Sequence, residues 1–459
     1  MTSLAIIGGG GFRVPLIVHA LATSPLRLQR LTLMDEDPDR LHTMREVVSR
    51  QLHEADLHLD LRVTADLAEA VRGADVIFVA VRVSGTQGRV SDELLALEHG
   101  LLGQETVGVG GMAYALRTIP VARRIAATIA QENPGAWTIN FTNPAGVITQ
   151  AMRESLGRRV VGICDTPIGL LRRARRALGV HPGEDVDFDY LGLNHLGWLR
   201  SLSVAGTDLL PDLLADEQRL AGLEEAELMG TRWIQRLGAL PNEYLYYYYR
   251  HREARAAITA RQTRGQFLHA QQADFYRTAA TSTDPYTLWD RTRAERDASY
   301  MAEARAEDDR FGRDAEEIAQ GGYQDVALAA MYALLHDAPA RMILNVGNTD
   351  TPDGSPVIAG LSEDAVIEVG CTVDADGAHP WPIAPARGDM LGLMAQIKEC
   401  DTLLLAATQR RDVDLAVRAF ALHPLVDSVD AAEALLTAYC AASEQIAAAV
   451  GVSRAASSP

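Results

Sequence analysis

Along the first third of the chain, apolar residues come in short runs, each closing on a polar or glycine-rich turn. Leu4-Ala5-Ile6-Ile7 runs into Gly8-Gly9-Gly10-Gly11, and Leu31-Thr32-Leu33-Met34 ends in Asp35. Val76-Ile77-Phe78-Val79-Ala80 follows Ala74-Asp75. Ala136-Trp137-Thr138-Ile139-Asn140-Phe141 stops at Thr142-Asn143-Pro144, and Val160, Val161 and Ile163 lead into Cys164-Asp165-Thr166-Pro167. Short runs with little polar alternation mark strands buried on both faces of a parallel sheet. Between the runs, apolar positions recur at helical spacing, as at Leu16, Ile17, Ala20 and Leu21 after Pro15. Strands alternating with helices to about residue 165 predict an α/β fold with a Rossmann-like, doubly wound parallel sheet.

Beyond that point the pattern changes. Tyr190-Leu191-Gly192-Leu193-Asn194-His195 reads as a strand edge, and residues 199–204 alternate as an antiparallel strand does. Long helical stretches follow, with further strands near 342–346 and 365–369. The expected division is a dinucleotide-binding domain over 1–165, an α+β domain over 166–450 and a frayed tail over 451–459.

Strand, glycine turn and helix together open a dinucleotide-binding fold, because glycines let the backbone approach a pyrophosphate at a helix N-terminus. Gly8, Gly9, Gly10, Phe12 and Arg13 are the candidates, with Arg13 standing where the third fingerprint glycine would be. Asp35 suits the ribose hydroxyls of NAD; the structural alternative is a loop acid capping the next helix. Cys164 and Asp165 reach the carboxyl edge of the sheet, where ligands bind in open α/β folds. A thiolate beside a carboxylate can hold a metal. The plain alternative is a buried thiol and a helix N-cap.

Composition narrows the partners. The 459 residues are 47% hydrophobic and 23% charged, with a net charge of −18. That charge argues against nucleic acid or an anionic membrane, so an anionic substrate needs a few local arginines. Four scattered cysteines without a CxxC pair predict a reduced, cytoplasmic setting. The chain enters a strand at once, so no secretory leader is expected, and no apolar run is long enough for a membrane span. Arg82, Gly85, Arg89, Asp92, Glu93 and residues 103–106 and 108–111 crowd one segment after a strand end, which reads as a site loop. Arg89 alone could as easily be a surface salt bridge, and Arg117 opens or ends a helix, where structure alone could explain it.

Taken together, several stretches resemble glycoside hydrolase family 4. They are Gly8-Gly9-Gly10, Arg89-Val90-Ser91-Asp92-Glu93, Gly103-Gln104-Glu105-Thr106, Asn140-Phe141-Thr142-Asn143-Pro144, Gly162-Ile163-Cys164-Asp165, Gly192-Leu193-Asn194-His195, Leu240-Pro241-Asn242-Glu243-Tyr244-Leu245, Thr263-Arg264-Gly265 and His423-Pro424-Leu425-Val426. The resemblance implies an NAD- and divalent-metal-dependent glycosidase acting on a small 6-phosphorylated glucoside or disaccharide, as a homodimer or homotetramer. It implies Cys164 and His195 as ligands of Mn²⁺ or another divalent ion, and Tyr244 as general base. Arg89, Asn143 and Arg264 become substrate contacts, the arginines on the 6-phosphate. Without the family, Tyr244 and its neighbours Tyr246, Tyr247, Tyr248 and Tyr249 read as an aromatic core face. The implied reaction is oxidation at C3 by NAD, loss of the C2 proton, elimination of the aglycone, water addition and re-reduction.

Anomeric preference is divided. Asp165 after the cysteine is the choice of the 6-phospho-α-glucosidases, where it would protonate the leaving group. Gly85-Thr86-Gln87-Gly88-Arg89, Gly108-Val109-Gly110-Gly111 and Phe141-Thr142-Asn143-Pro144 look more like the β-type members, so the expectation is a 6-phospho-β-glucosidase. A plain NAD-dependent dehydrogenase and a nucleotide-binding redox sensor remain the rival readings, neither giving a reason for Cys164, His195 and Tyr244 in these motifs.

Overall fold

The computed structural model describes residues 2–181, 183–298, 322–336 and 338–453. Its strands are β1 (Ser3–Ile7), β2 (Arg30–Met34), β3 (Asp60–Thr64), β4 (Val76–Val79), β5 (Trp137–Asn140), β6 (Val160–Gly162), β7 (Val186–Leu193), β8 (Leu196–Val204), β9 (Thr207–Asp208), β10 (Leu240–Pro241), β11 (Ala340–Gly347), β12 (Val366–Asp374) and β13 (Gly377–Pro380). They form one sheet in the order β10-β8-β7-β12-β11-β6-β5-β4-β1-β2-β3, with β13 on β12 and β9 on β8.

From β3 to β6 every pairing is parallel, in the order 3-2-1-4-5-6 of a dinucleotide-binding fold. The unbroken apolar runs have a direct cause. Leu4 and Ile6 of β1 pack with the helices Val14–Leu21 and Tyr323–Leu335, while Ala5 and Ile7 pack on the other face with the helices Val109–Glu132 and Ala145–Leu156. Successive side chains point to opposite faces, and here both faces are covered.

The expected boundary at residue 165 falls in the turn between β6 and the helix Thr166–Leu178, and the sheet does not stop there. Gly162 of β6 pairs antiparallel with Asn345 of β11, and β12, β7, β8 and β10 continue antiparallel. The strands expected near 342–346 and 365–369 are β11 and β12. Of the tail, residues 454–459 lie outside the described residues.

Two local features place the functional residues. β7 and β8 form a hairpin joined by Asn194 and His195, and His195 takes the left-handed φ of 61° that so tight a turn demands. β10 pairs with the start of β8, and Asn242 N–H donates to Gly197 C=O at 2.8 Å, so the chain after β10 runs back past that hairpin. On the far side of the sheet, Lys398, the sole lysine of the sequence, is 4% exposed. Its Nζ donates to Gln150 Oε1 at 3.0 Å and to Asp401 at 2.8 Å. No helix among the described residues is long and apolar enough to cross a membrane.

Candidate active site

The carboxyl ends of β1, β2, β4, β5 and β6 open onto one cavity of about 780 Å³. That size fits a cofactor with a small substrate. Its lining includes Gly8, Phe12, Arg13, Asp35, Arg89, Asn143, Cys164, Asp165, His195, Tyr244 and Arg264. The structure therefore brings together nearly all of the residues singled out in the sequence. Gly9 and Gly10 do not line it; they let the turn pack on β2. A Cβ on Gly9 would lie 2.8 Å from Met34 N, and one on Gly10 2.9 Å from Asp35 Oδ2.

At the glycine end, Gly8 has a φ of 93°, and a Cβ there would meet Ala80 O at 2.5 Å. Asp35 Oδ2 accepts from Gly10 N–H at 2.9 Å and Oδ1 from Asp37 N–H at 3.0 Å. Asp37, not Asp35, caps the helix Pro38–Glu54. Phe12 borders the cavity, yet its ring is buried against Phe275 and Trp289. Arg13 lies over the Tyr323 ring at 4.1 Å and the Phe141 ring at 4.7 Å, and 3.7 Å from Asp165. Arg40 and Tyr276 also reach the glycine turn, Tyr276 O–H donating to Gly10 C=O at 2.7 Å. Neither residue carries a sequence signal for this role.

At the other end stand Cys164, His195 and Tyr244. The Tyr244 ring stacks flat on the His195 imidazole, 3.8 Å apart and 4° from parallel. His195 Nδ1 bonds Thr106 Oγ1 at 2.9 Å, which leaves Nε2 as the ring nitrogen not held by that contact. Burial lowers the imidazole to about 4 against the attraction of Asp165 and Glu105, which favours its neutral form. Cys164 Sγ lies 3.4 Å from Thr166 Oγ1, and burial, then Glu368 and Asp165, push its thiol well up. Asp165 occupies the N-cap position of the helix Thr166–Leu178 but makes no side-chain cap bond. Among the described residues no group of three or more His, Cys, Asp or Glu is gathered to hold a metal.

Asn242 ties the two halves of this end together. Its Oδ1 accepts from Tyr244 N–H at 3.0 Å, and its Nδ2 donates to Thr166 Oγ1 at 2.8 Å. Glu243 is held by Arg173 at 3.0 Å. Tyr244 sits in a single 3₁₀ turn, Glu243–Leu245, ahead of the short helix Tyr246–Tyr249. Tyr247 borders the cavity 5.9 Å from the Tyr244 ring, whereas Tyr248 lies outside the lining and faces His423.

The arginines divide. Arg89 is buried, its Nε 2.6 Å from Glu93 and its Nη1 2.6 Å from Glu105. Burial works against ionising Glu105, yet Arg82 and Arg89 on either side hold its carboxyl well below the usual range. Arg117 neither opens nor ends a helix: it lies inside the helix Val109–Glu132, where it pairs bidentately with buried Asp92. Arg264 donates to Arg296 C=O at 2.8 Å. Arg296, unremarked in the sequence, also lines the cavity; burial, Arg13 and Arg264 pull it down to about 9. The loop Gln104-Glu105-Thr106 packs on residues 108–111 because Gly110 and Gly111 leave no Cβ in the way.

Known proteins resemble the chain along nearly its whole length. The "Probable 6-phospho-beta-glucosidase" of Bacillus subtilis (strain 168) is 28% identical over 94% of each chain. The "6-phospho-alpha-glucosidase 1" of Lacticaseibacillus paracasei is 26% identical over 95% of each. The solved 6-phospho-beta glucosidase from Thermotoga maritima with NAD and glucose-6-phosphate superposes with a TM-score of 0.80 at 25% identity, covering 97% of this chain and 99% of that one. A 6-phospho-alpha-glucosidase from gut microorganisms, in complex with NAD and Mn²⁺, gives 0.78 at 25% identity, covering 97% and 98%. The Family 4 glycosyl hydrolase model matches residues 3–180, and the model of that family's C-terminal domain matches 190–426. With both models together spanning the strands that deliver the glycine turn, Cys164, His195 and Tyr244, the chain belongs to the family 4 glycosyl hydrolases.

Proposed function

We propose that this chain is an NAD- and divalent-metal-dependent 6-phosphoglucosidase, acting on 6-phospho-β-glucosides. The observation that carries the reading is the Tyr244 ring stacked on the His195 imidazole, in the cavity that also takes in Cys164 and the glycine turn.

The residues fit both groups. A thiol and a neutral imidazole are a borderline donor pair suited to Mn²⁺, and two protein donors leave coordination positions for sugar oxygens. Gly8 and Asp35 at the ends of β1 and β2 suit a dinucleotide. When bound, NAD supplies a reversible hydride acceptor for C3, and the metal ion supplies a Lewis acid for the C2 and C3 oxygens. The Tyr244 hydroxyl takes the proton from C2, and its ring is held for that task by the His195 stack and the Asn242 bond. Thr106 orients the His195 ring through Nδ1. Arg264 meets the 6-phosphate and Asn143 contacts the sugar; Arg89 also lines the cavity, with its guanidinium engaged by Glu93 and Glu105.

β specificity rests on the sequence stretches 85–89, 108–111 and 141–144. Cleavage of α-glucosides is the second reading, favoured by Asp165, a carboxylate that lines the cavity next to Cys164 and would protonate the leaving group. Relatives of both kinds match the chain along nearly its whole length. p-Nitrophenyl α- and β-glucosides, with and without 6-phosphate, test the proposal. It expects turnover of the phosphorylated β-glucoside, dependent on added NAD and Mn²⁺. Turnover of the α-anomer alone transfers the assignment to the second reading, and equal turnover of unphosphorylated sugar removes the phosphate requirement.

A further inference from the structure

Behind the wall that carries Cys164 and His195, Gly162, Asn345, Glu368 and Gly192 form one row across β6, β11, β12 and β7. Gly162 precedes Cys164 by two residues, and Gly192 precedes His195 by three. Glu368 is fully buried in the middle of that row and does not line the cavity. Its Oε1 accepts from Asn345 Nδ2 at 2.9 Å and from Asn194 Nδ2 at 3.4 Å, and its Oε2 accepts from Tyr190 O–H at 3.2 Å. Asn194 passes the connection on, its Oδ1 accepting from Ala145 N–H at 3.1 Å. One carboxylate thereby ties the turn that presents His195 to the strand beside Cys164 and to the start of the helix after Asn143.

A buried carboxylate is an expensive way to fill a sheet. An apolar side chain of similar volume is often as stable or more so, and burial pushes this carboxyl up to about 7 against three donors that favour its charged form. Such a group is retained where hydrogen-bond geometry matters more than packing. The geometry points to Glu368 as a positioning residue that, through Asn194, sets the His195 turn at the distance from Cys164 that a metal ion needs. The inference rests on the reading of Cys164 and His195 as metal ligands. Partners one shell behind a ligand typically change metal affinity 10–100-fold when removed.

Binding of Mn²⁺ alone, followed by the electron paramagnetic resonance of the free ion, tests this in the full chain without turnover. Glu368→Leu removes all three hydrogen bonds and is expected to weaken Mn²⁺ binding by about 10–100-fold. Glu368→Gln keeps an oxygen for Asn345 and Asn194 and offers its amide to the Tyr190 oxygen, so binding stays within a few-fold of wild type. Asn194→Ala reproduces the Glu368→Leu loss, and Glu368→Leu/Asn194→Ala is no weaker than either single variant, as one shared path requires. Asn194→Ala alone decides the matter if Glu368→Leu does not fold. Wild-type affinity in Asn194→Ala, a Glu368→Gln loss as large as that of Glu368→Leu, or additive losses in the double variant each overturn the proposal. Cys164→Ser is the control for the underlying reading. If it binds Mn²⁺ as tightly as wild type, the metal site itself is wrong and this inference falls with it.

Discussion

Tyr244 owes its position to its neighbours. It stands in a one-turn 3₁₀ segment too short to orient a side chain by helical geometry, so the His195 ring and Asn242 do that work. Tyr244→Phe keeps the stack and removes only the hydroxyl. Its rate should fall by roughly 10²–10⁴-fold with NAD and Mn²⁺ binding intact. Hydrolysis by wild type in D₂O should place deuterium at C2 of the sugar, and product without it would point to direct displacement at C1. Arg89 calls for a different measurement. With Glu93 2% exposed beside it, Arg89→Met strands buried carboxylates and should cost about 3–5 kcal/mol in a denaturant melt. Arg264→Met should instead raise KM for phosphorylated substrate and leave the melt nearly unchanged. Equal loss of stability in the two variants would refute this division. At this scale the motifs named side chains that the structure gathers in one cavity, and missed those that hold them in place. Arg40, Tyr276, Asn345 and Glu368 are single polar residues in unremarkable surroundings, and their partners lie far off in sequence.

Single strands and helices were the most legible level, because burial on two faces writes itself as an apolar run. β3 shows the converse. Asp60-Leu61-Arg62-Val63-Thr64 is an edge strand exposed along much of its length, so it leaves no such run. The turn after the helix Val413–Leu422 carries a pH prediction. His423 is 4% exposed, its Nδ1 accepts from Leu425 N–H at 3.2 Å, and the Tyr248 ring faces it at 6.3 Å. Burial pulls it down to about 3 from an ordinary 6.5. The unfolded chain therefore binds this proton before the folded one does. Stability from this residue is complete above pH 6.5 and drains as pH falls toward 3, by up to about 1.4 kcal/mol per pH unit. His423→Gln should flatten that part of a stability–pH curve measured by urea melts, and an unchanged slope would show that His423 is not its source.

For the molecule as a whole, the sequence marked a change of pattern near residue 165 and left the joining of the two halves unread. β11 pairs with β6 although some 180 residues separate them, and nothing local in either strand records its neighbour. The cavity that holds Cys164, His195 and the glycine turn collects residues from both halves, so cofactor and metal should act as parts of one unit. Enzyme dialysed against EDTA and freed of NAD should be inactive until both are returned; recovery with either alone would contradict that coupling.

Lys398 turns its burial into a clock. All other cationic side chains of the chain are arginine or histidine, so a reagent that acylates amines finds one ε-amine, packed against Gln150 and Asp401, besides the N-terminus. Its labelling rate, read by mass spectrometry, counts how often the helix Gly388–Arg410 lifts from the helix Ala145–Leu156 without the rest of the protein unfolding.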